Sequence, residues 1–405
     1  MNILFLTHRL PFPPNRGDRI LAYHLLRHMR DYAAVDVVSL VHSSEEASDA
    51  SGLSDLAASV HVMRVPRLQN LVRAAAKLTG DTPLTHVLLN APGIGAMVAD
   101  VAARRQPDVV VAFGSGMAPF AFGPPLDAVP LVIHMVDVDS AKWAALAERT
   151  KPPLRWVYAR EARTLARFEA VAARRARATV LVADREGEAL KRLAPGAHVH
   201  VMPNGVDVSY FTPASIPNRA ADVVFCGVMD YAPNVEGAVW FAREVWPAVR
   251  RRYPDSRLKL VGSSPAAAVR ALASDHDGIV VTGPVPDVRP HLWSSAVSVA
   301  PLFVARGIQN KVLEAVAAGL PTVLTSPAAG GVPAGVMAAC TVADTPETFA
   351  AAVLNLLAMP SADREALVRR ADLSALTWER ALAPFRTILE AALPPAASTP
   401  NGAHR

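Results

Sequence analysis

The segment 299–323 gathers residue types suited to a ligand that is both anionic and rich in hydroxyls. A buried strand ends at Pro301, a loop turns at Gly307, and a helix runs from about Gln309 to Ala318. Gly319 then takes the position after the helix, and Pro321 opens the next strand. Free backbone amides at the helix start, with the Lys311 ammonium beside them, suit a diphosphate. Glu314, one turn further in, is placed to accept hydrogen bonds from two vicinal hydroxyls, as a ribose presents them. The plainer alternative is an ordinary helix carrying Lys311 and Glu314 as a surface pair.

Two more candidates follow strand ends in the first half. The turn Pro11-Phe12-Pro13-Pro14-Asn15-Arg16-Gly17-Asp18 leads straight into a helix, so a phosphate or sugar can approach the backbone at Gly17. Equally, it is a proline-stiffened turn with Asp18 as helix N-cap. The stretch His134-Met135-Val136-Asp137-Val138-Asp139-Ser140-Ala141-Lys142-Trp143 sets an imidazole, two carboxylates and an ammonium at another strand end. His134 and Asp137 there suit the binding of sugar hydroxyls or the handling of a proton. The structural alternative keeps Asp139 or Ser140 as an N-cap and His134 as a satisfied histidine.

The elements that must position these groups follow an α/β rhythm. Short β-branched runs at 2–7, 35–41, 60–65, 109–113, 131–135 and 179–182 alternate with helical stretches rich in Ala, Leu and Arg, the pattern of a parallel sheet. The first helix starts near Asp18 and repeats Ile20, Leu21, His24, Leu25 and Met29 at helical spacing. A punctuated segment from Pro203-Asn204-Gly205-Val206-Asp207 to Pro213 and Pro217 interrupts the rhythm. Strands then resume at 223–226, 258–261, 279–282, 297–301, 322–325 and 340–342. The expected domains are residues 1–203 and 219–376, with a hinge at 204–218 and a helix at 377–393. Residues 394–405 form a polar tail with nothing to bury. Two such domains in tandem leave a cleft between them.

Composition excludes several classes. With 405 residues, 51% hydrophobic and 19% charged, and mean hydropathy +0.23, the chain is neither disordered nor of low complexity. Two cysteines, Cys226 and Cys340, supply neither a disulfide framework nor a four-ligand zinc site, which favours a reducing, cytoplasmic setting. No apolar run reaches the ~18 residues that a spanning helix needs, and Met1–Leu6 reads as a first strand rather than a signal peptide. The net charge of +5 comes mostly from arginine, with only six lysines among 41 basic residues. No helix-turn-helix, zinc or aromatic RNA-binding motif accompanies it, so nucleic acid is not an expected partner. The basic helices around Arg67, Arg73 and Lys77, and the run 155–177, can lie against anionic lipid or a polyanionic acceptor, or simply be solvated.

These residues resemble the retaining nucleotide-sugar glycosyltransferases of the GT-B fold, glycosyltransferase family 4. Gly307, Glu314, Ala315, Ala317, Gly319, Pro321 and Val323 fall on that family's E-G-F-G-L-x-x-x-E-A-x-A-x-G-x-P-V frame. Pro203-Asn204-Gly205-Val206-Asp207 with Phe211 and Pro213 is similar to its hinge signature. Phe225-Cys226-Gly227, Val261-Gly262 and Val281-Thr282-Gly283 agree. The resemblance is nearest to the branch associated with exopolysaccharide and PEP-CTERM/exosortase systems, where D-V-D-S-x-K-W and G-I-Q-N-K-V-L-E-A stretches occur together.

The resemblance implies two Rossmann-like domains with parallel sheets facing a central cleft, and a C-terminal helix returning to the first. It implies transfer of a sugar from a nucleotide-diphosphate donor, with retention, to an acceptor bound by the first domain; the basic helices of that domain suit a glycan or polyprenyl-diphosphate-linked acceptor at the inner face of the cytoplasmic membrane. Donor contacts fall at Gly17, Gly227, Gly283, Arg306, Gly307, Ile308, Gln309, Asn310, Lys311 and Glu314. Glu314 holds the ribose, and the backbone near Gly283 meets the base. Asp137 and His134 lie near the reacting sugar. No cofactor and no essential metal are expected. Arg306 departs from the family by replacing the first glutamate of the paired motif, and the basic pair often found after the Gly227 position is missing; Lys311 and Arg306 are the candidate replacements. Two alternatives share the architecture: a non-hydrolysing nucleotide-sugar 2-epimerase, and a degenerate GT-B protein that binds without turnover.

Overall fold

The computed structural model describes residues 1–214, 220–305 and 307–394. The chain divides into two compact units. The first comprises residues 1–181 and 187–202 together with the chain from Leu382, and the second comprises 182–186 and 203–381. Arg306, Pro217 with the rest of 215–219, and residues 395–405 of the expected tail lie outside the described residues.

The first unit is a seven-stranded, all-parallel sheet built from β1 (Asn2–Thr7), β2 (Ala34–Val41), β3 (Ser59–Arg64), β4 (Val109–Phe113), β5 (Leu131–Val136), β6 (Ala178–Leu181) and β7 (Val199–Val201). The strand order is β3-β2-β1-β4-β5-β6-β7. Its central strands are continuous apolar runs because helices cover both faces; Ile3–Leu6 and Val109–Phe113 have at most 1% exposure. β7 is the one strand of this sheet that the sequence reading passed over. It has three residues, carries His200 between two valines, and sits at the edge. Leu382 and the residues after it in the helix Trp378–Ala392 belong to this unit, where the Phe385 ring stands 6.4 Å from His134.

The second unit repeats the plan in six parallel strands: β8 (Val223–Cys226), β9 (Leu258–Val261), β10 (Ile279–Val281), β11 (Val297–Ala300), β12 (Thr322–Leu324) and β13 (Cys340–Val342). Their order is β10-β9-β8-β11-β12-β13. One core runs beneath them, with Phe225, Phe241, Trp246 and Phe349 among its fully buried large side chains. In both sheets the chain reverses its direction of growth beside the first strand. That places the carboxyl ends of β1 and β4, and of β8 and β11, at the switch points where ligands of open α/β sheets bind.

The segment 203–214 is stitched into the second unit. Val206 N–H donates to the Leu376 carbonyl at 2.7 Å, and a Cβ on Gly205 would lie 2.6 Å from the Trp378 Cα, so only glycine fits under that tryptophan. Asp207 caps the short helix Val208–Phe211, and Trp293 Nε1 donates to the Phe211 carbonyl at 2.7 Å.

Candidate functional site

In the second unit, β8 delivers Cys226 and then Gly227 to its carboxyl end. A Cβ on Gly227 would stand 2.7 Å from Asn234 Nδ2 and 3.1 Å from Lys311 Nζ, so glycine is what leaves room for those two polar groups. Lys311 Nζ donates to Asn234 Oδ1 at 2.6 Å and lies 4.8 Å from the centre of the Phe225 ring. Asn234 Nδ2 in turn donates to the Val228 carbonyl at 2.9 Å. Neither Asn234 nor Phe225 was a sequence candidate. Asn234 lies in the helix Ala232–Trp240 that follows β8, and only its contact with Lys311 brings it into this cluster.

Burial governs the electrostatics here. It pulls the Lys311 ammonium down to about 8, against the opposing influence of Cys226 and Glu314. It pushes the Glu314 carboxyl up to about 7, which Lys311 partly offsets. Cys226 is pushed up to about 12 by burial and by Glu314. Lys311 therefore does not make a surface pair with Glu314: it is half-buried on an aromatic ring and held by an amide.

The helix carrying both residues spans Asn310–Ala317, with Gln309 as its N-cap. Gln309 Nε2 donates to the Gly307 carbonyl at 3.0 Å, and Asn204 Nδ2 donates to Asn310 Oδ1 at 2.8 Å. The Pro-Asn-Gly-Val-Asp motif thus braces the helix start through Asn204. Gly307 and Ile308 are buried, and Ile308 belongs to the core, so these two shape the loop from within. The helix ends as its sequence predicts: Gly319 has φ 80, its N–H reaches the Val316 carbonyl, and Leu320 N–H reaches that of Ala315, both at 2.9 Å. Gly283 follows β10 with φ 68 and open space where a Cβ would be. Thr282 links it to Gly262 after β9, since Thr282 Oγ1 donates to the Gly283 carbonyl and accepts from Gly262 N–H. Gly227, Gly283, Gln309, Asn310, Lys311 and Glu314 therefore all lie at the carboxyl side of one sheet. Arg306 lies outside the described residues.

In the first unit the helix after β1 spans Gly17–Arg30. Gly17 is its exposed first residue and Arg16 its N-cap, so the N-cap expected at Asp18 is displaced by two positions. Asp18 instead meets His8 Nε2 at 3.6 Å, Arg9 at 3.5 Å and Arg16 at 3.7 Å. Burial raises its carboxyl, but the His8 hydrogen bond and the charges of His8, Arg16 and Arg9 outweigh this and hold it far below the usual carboxylate range. Beside it, Arg19 pairs at 2.7 Å with Glu46, which is 4% exposed.

At the end of β5 the backbone is strained. Val136 has φ 69, and Asp137 N–H closes a three-residue turn onto the Met135 carbonyl at 2.9 Å. A β-branched residue in this region costs of order 1–3 kcal/mol, and such strain collects at functional sites. The turn sets Asp137, half-buried, at the strand end. The following helix, Asp139–Arg149, has Val138 as N-cap, so neither Asp139 nor Ser140 takes that position. Its first amides are satisfied from another helix: the Glu169 carboxylate accepts from Ser140 N–H at 3.2 Å and from its hydroxyl. Burial and the nearby Asp139 push Glu169 up to about 8, opposed by those hydrogen bonds.

His134 lies elsewhere than a satisfied strand-end histidine would. It has 0% exposure, neither ring nitrogen has a hydrogen-bond partner, and Phe113 and Phe385 flank it at 5.4 and 6.4 Å. Burial drives its imidazole down to about 3, so it is neutral. The sheet separates Gly17, after β1, from Asp137, after β5, by the intervening β4. His8 spans part of that distance, with its ring parallel to Phe113 and Nδ1 at 3.2 Å from the Phe113 carbonyl.

Among the described residues no helix is long and apolar enough to cross a membrane, and no cluster of three His, Cys, Asp or Glu side chains is placed to hold a metal ion. No curated protein matches the sequence. Among solved structures, the chain is similar to sucrose-phosphate synthase from Thermosynechococcus elongatus, at 14% identity and TM-score 0.69 over 96% of this chain and 98% of that one. It is also similar to Anabaena HepE in complex with UDP-glucose, at 16% identity and TM-score 0.65 over 96% and 98%. A third is α,α-trehalose 6-phosphate synthase from Burkholderia multivorans, at 14% identity and TM-score 0.63 over 96% and 98%. Residues 220–359 match the family model described as glycosyl transferases group 1. That match lies within the second unit, and the two parallel sheets of the chain are those of the GT-B glycosyltransferase fold.

Proposed function

We propose that the protein transfers a sugar, with retention of configuration, from a nucleotide-diphosphate sugar to a lipid-linked or growing exopolysaccharide acceptor on the cytoplasmic side of the membrane. The observation that carries the reading is the Gly227–Asn234–Lys311–Glu314 cluster at the carboxyl side of the second sheet, inside the region that matches glycosyl transferases group 1. HepE, of like fold, is described in complex with UDP-glucose, which makes UDP-glucose the first donor to try.

In this reading the Lys311 ammonium and the amides at the start of the helix Asn310–Ala317 take the diphosphate, whose charge grows as the bond to the sugar breaks. Glu314 accepts from the ribose hydroxyls, and the backbone beyond β10 at Gly283 borders the base. The first unit binds the acceptor. Asp137 orients it or receives its proton, and Gly17 offers a backbone approach for an anionic group. His134 supports the strand end from the core and moves no proton, since a neutral imidazole without exposure has no route to one. The assignment to family 4, and to its exopolysaccharide branch, belongs to the same reading.

A thermal-shift and turnover panel with UDP-, GDP- and dTDP-sugars, using washed membrane extract as acceptor source, tests it. Nucleotide diphosphate release that requires the extract is the expected result. Stabilisation by a donor without release would favour a binding protein, and conversion of the donor without extract would favour an epimerase.

A further inference from the structure

The first unit presents large apolar side chains to solvent in two places. On the helix Arg67–Ala76, Leu68 is 79% exposed and Val72 72%, with Leu71 also exposed. At the start of the helix Leu154–Arg175, Trp156 is 67% exposed and Leu154 52%. Isolated exposed apolar residues are ordinary on protein surfaces; a contiguous group of them marks an interaction site.

Two observations bring the two helices together. Ala74 of the first helix and Val157 of the second pack in the same small apolar cluster, with Leu84 and Val87. Arg160, one turn along from Val157, donates to the carbonyls of Lys77, Gly80 and Thr82 and so ties the end of the first helix to the second. Leu71 and Leu154 each lie one helical turn from a member of that cluster and share its side of their helices.

The charge around this surface is predominantly positive. Residues 56–80 contain Arg64, Arg67, Arg73 and Lys77 and no Asp or Glu, and residues 149–160 contain Arg149, Lys151, Arg155 and Arg160 and none either. Of the acids that flank these segments, Asp81 pairs with Arg167 at 3.1 Å and buried Glu161 accepts from the Leu84 and Thr85 amides at 2.8 Å, while Asp55 and Glu148 are exposed at their outer ends. Three other basic residues of the run 155–177 are engaged elsewhere. Arg160 is buried in its structural role, Arg167 pairs with Asp81, and Arg175 sits over the Phe122 ring.

We infer that this face docks on an anionic lipid bilayer, with Leu68, Val72 and Trp156 entering the interface and Arg67, Arg73, Lys77, Lys151 and Arg155 against the headgroups. An apolar stripe bordered by Lys and Arg is the pattern of helices that lie in the membrane plane, and basic residues near a negative leaflet each add to the attraction. The inference does not depend on the transfer reaction, because no donor or acceptor takes part.

The full chain, free of nucleotide sugar, is co-sedimented with vesicles of phosphatidylcholine alone and of phosphatidylcholine with phosphatidylglycerol, at low and high salt. Binding is expected only to the anionic vesicles, weakened by salt. It falls about tenfold or more both in R67E/R73E/K77E and in L68S/W156S. Unchanged melting curves identify variants that still fold, and the single variants R73E and W156S serve where a multiple one does not. Equal binding to neutral vesicles, or undiminished binding by both variant sets, overturns the inference. So does a wild-type dimer that W156S dissociates without any vesicle binding, since the face would then join two copies of the chain. Vesicle binding without sugar transfer leaves the docking face standing and counts only against the proposed reaction.

Discussion

In the proposed reading donor binding turns on Lys311, and its surroundings set how it responds to pH. Burial lowers its ammonium to about 8 in the free protein, so the charge that attracts a diphosphate is present below that value and lost above it. UDP affinity is therefore expected to fall as pH rises through about 8. Lys311→Met, which keeps the bulk over Phe225, should flatten that dependence and weaken binding about tenfold or more, the effect of losing one charged hydrogen bond. Titration calorimetry across the pH range measures both, and unchanged affinity in the variant removes Lys311 from the site. Gly227→Ala belongs to the same scale. Its methyl group would press on Asn234 Nδ2 and Lys311 Nζ, which are ends of flexible side chains. Donor KM should rise while the melting temperature stays near wild type, and steady-state kinetics beside a melting curve separates the two effects. The placing of Lys311 and Glu314 on the first turns of one helix was legible in the sequence, because a helix start and an i,i+3 spacing imply it. Asn234 and Phe225 were not, because they reach the site only when β8 and the helix after it fold beside a segment about 80 residues away.

At the scale of elements, two contacts hold strand ends in place. A Cβ on Gly262 would overlap the Gly227 carbonyl, and Gly262 has φ 148. Gly262→Ala thus sets backbone against backbone, and urea unfolding should show a loss of about 2 kcal/mol or more. In the first unit, Glu169 closes the start of the helix that follows the strained turn at Val136. Its carboxyl titrates at about 8 in the fold, against an ordinary value of 4.5. Between those values the folded chain keeps a proton that the unfolded chain has released. Stability is then expected to decline as pH rises from about 4.5 to about 8, and to level off above. Glu169→Gln stays neutral and should flatten the decline; melting temperatures across that range decide it, and an identical slope in the variant would assign it to other groups. Strand positions were readable from the β-branched runs, and the helix end at Gly319 from its glycine. The cap at Ser140 was not: the sequence suggests a local cap, whereas the oxygen comes from Glu169, 29 residues away.

For the whole molecule, the assignment of the donor to one unit has a measurable consequence. A ligand that binds only the folded state stabilises it by about 2.7 kcal/mol at a hundredfold excess over Kd. UDP should raise the melting temperature, and hydrogen exchange should slow most strongly around 225–235 and 307–317, with a weaker effect at 283. Protection elsewhere in the second unit, with none at these segments, would move the nucleotide away from Lys311. Hydrophobic periodicity, β-branched runs and turn residues sufficed to determine the class of the chain, its two parallel sheets and all but the edge strand β7. These are local properties, set by backbone preference and by which faces must be buried. The tertiary structure decided the chemical standing of individual groups. It made His134 a neutral core residue, placed Lys311 on Phe225 beside Asn234, tied Asn204 to Asn310, and left Leu68 and Trp156 in solvent. Burial, pKa and partnership depend on what distant segments bring to the same place, and residue spacing along the chain carries no measure of that.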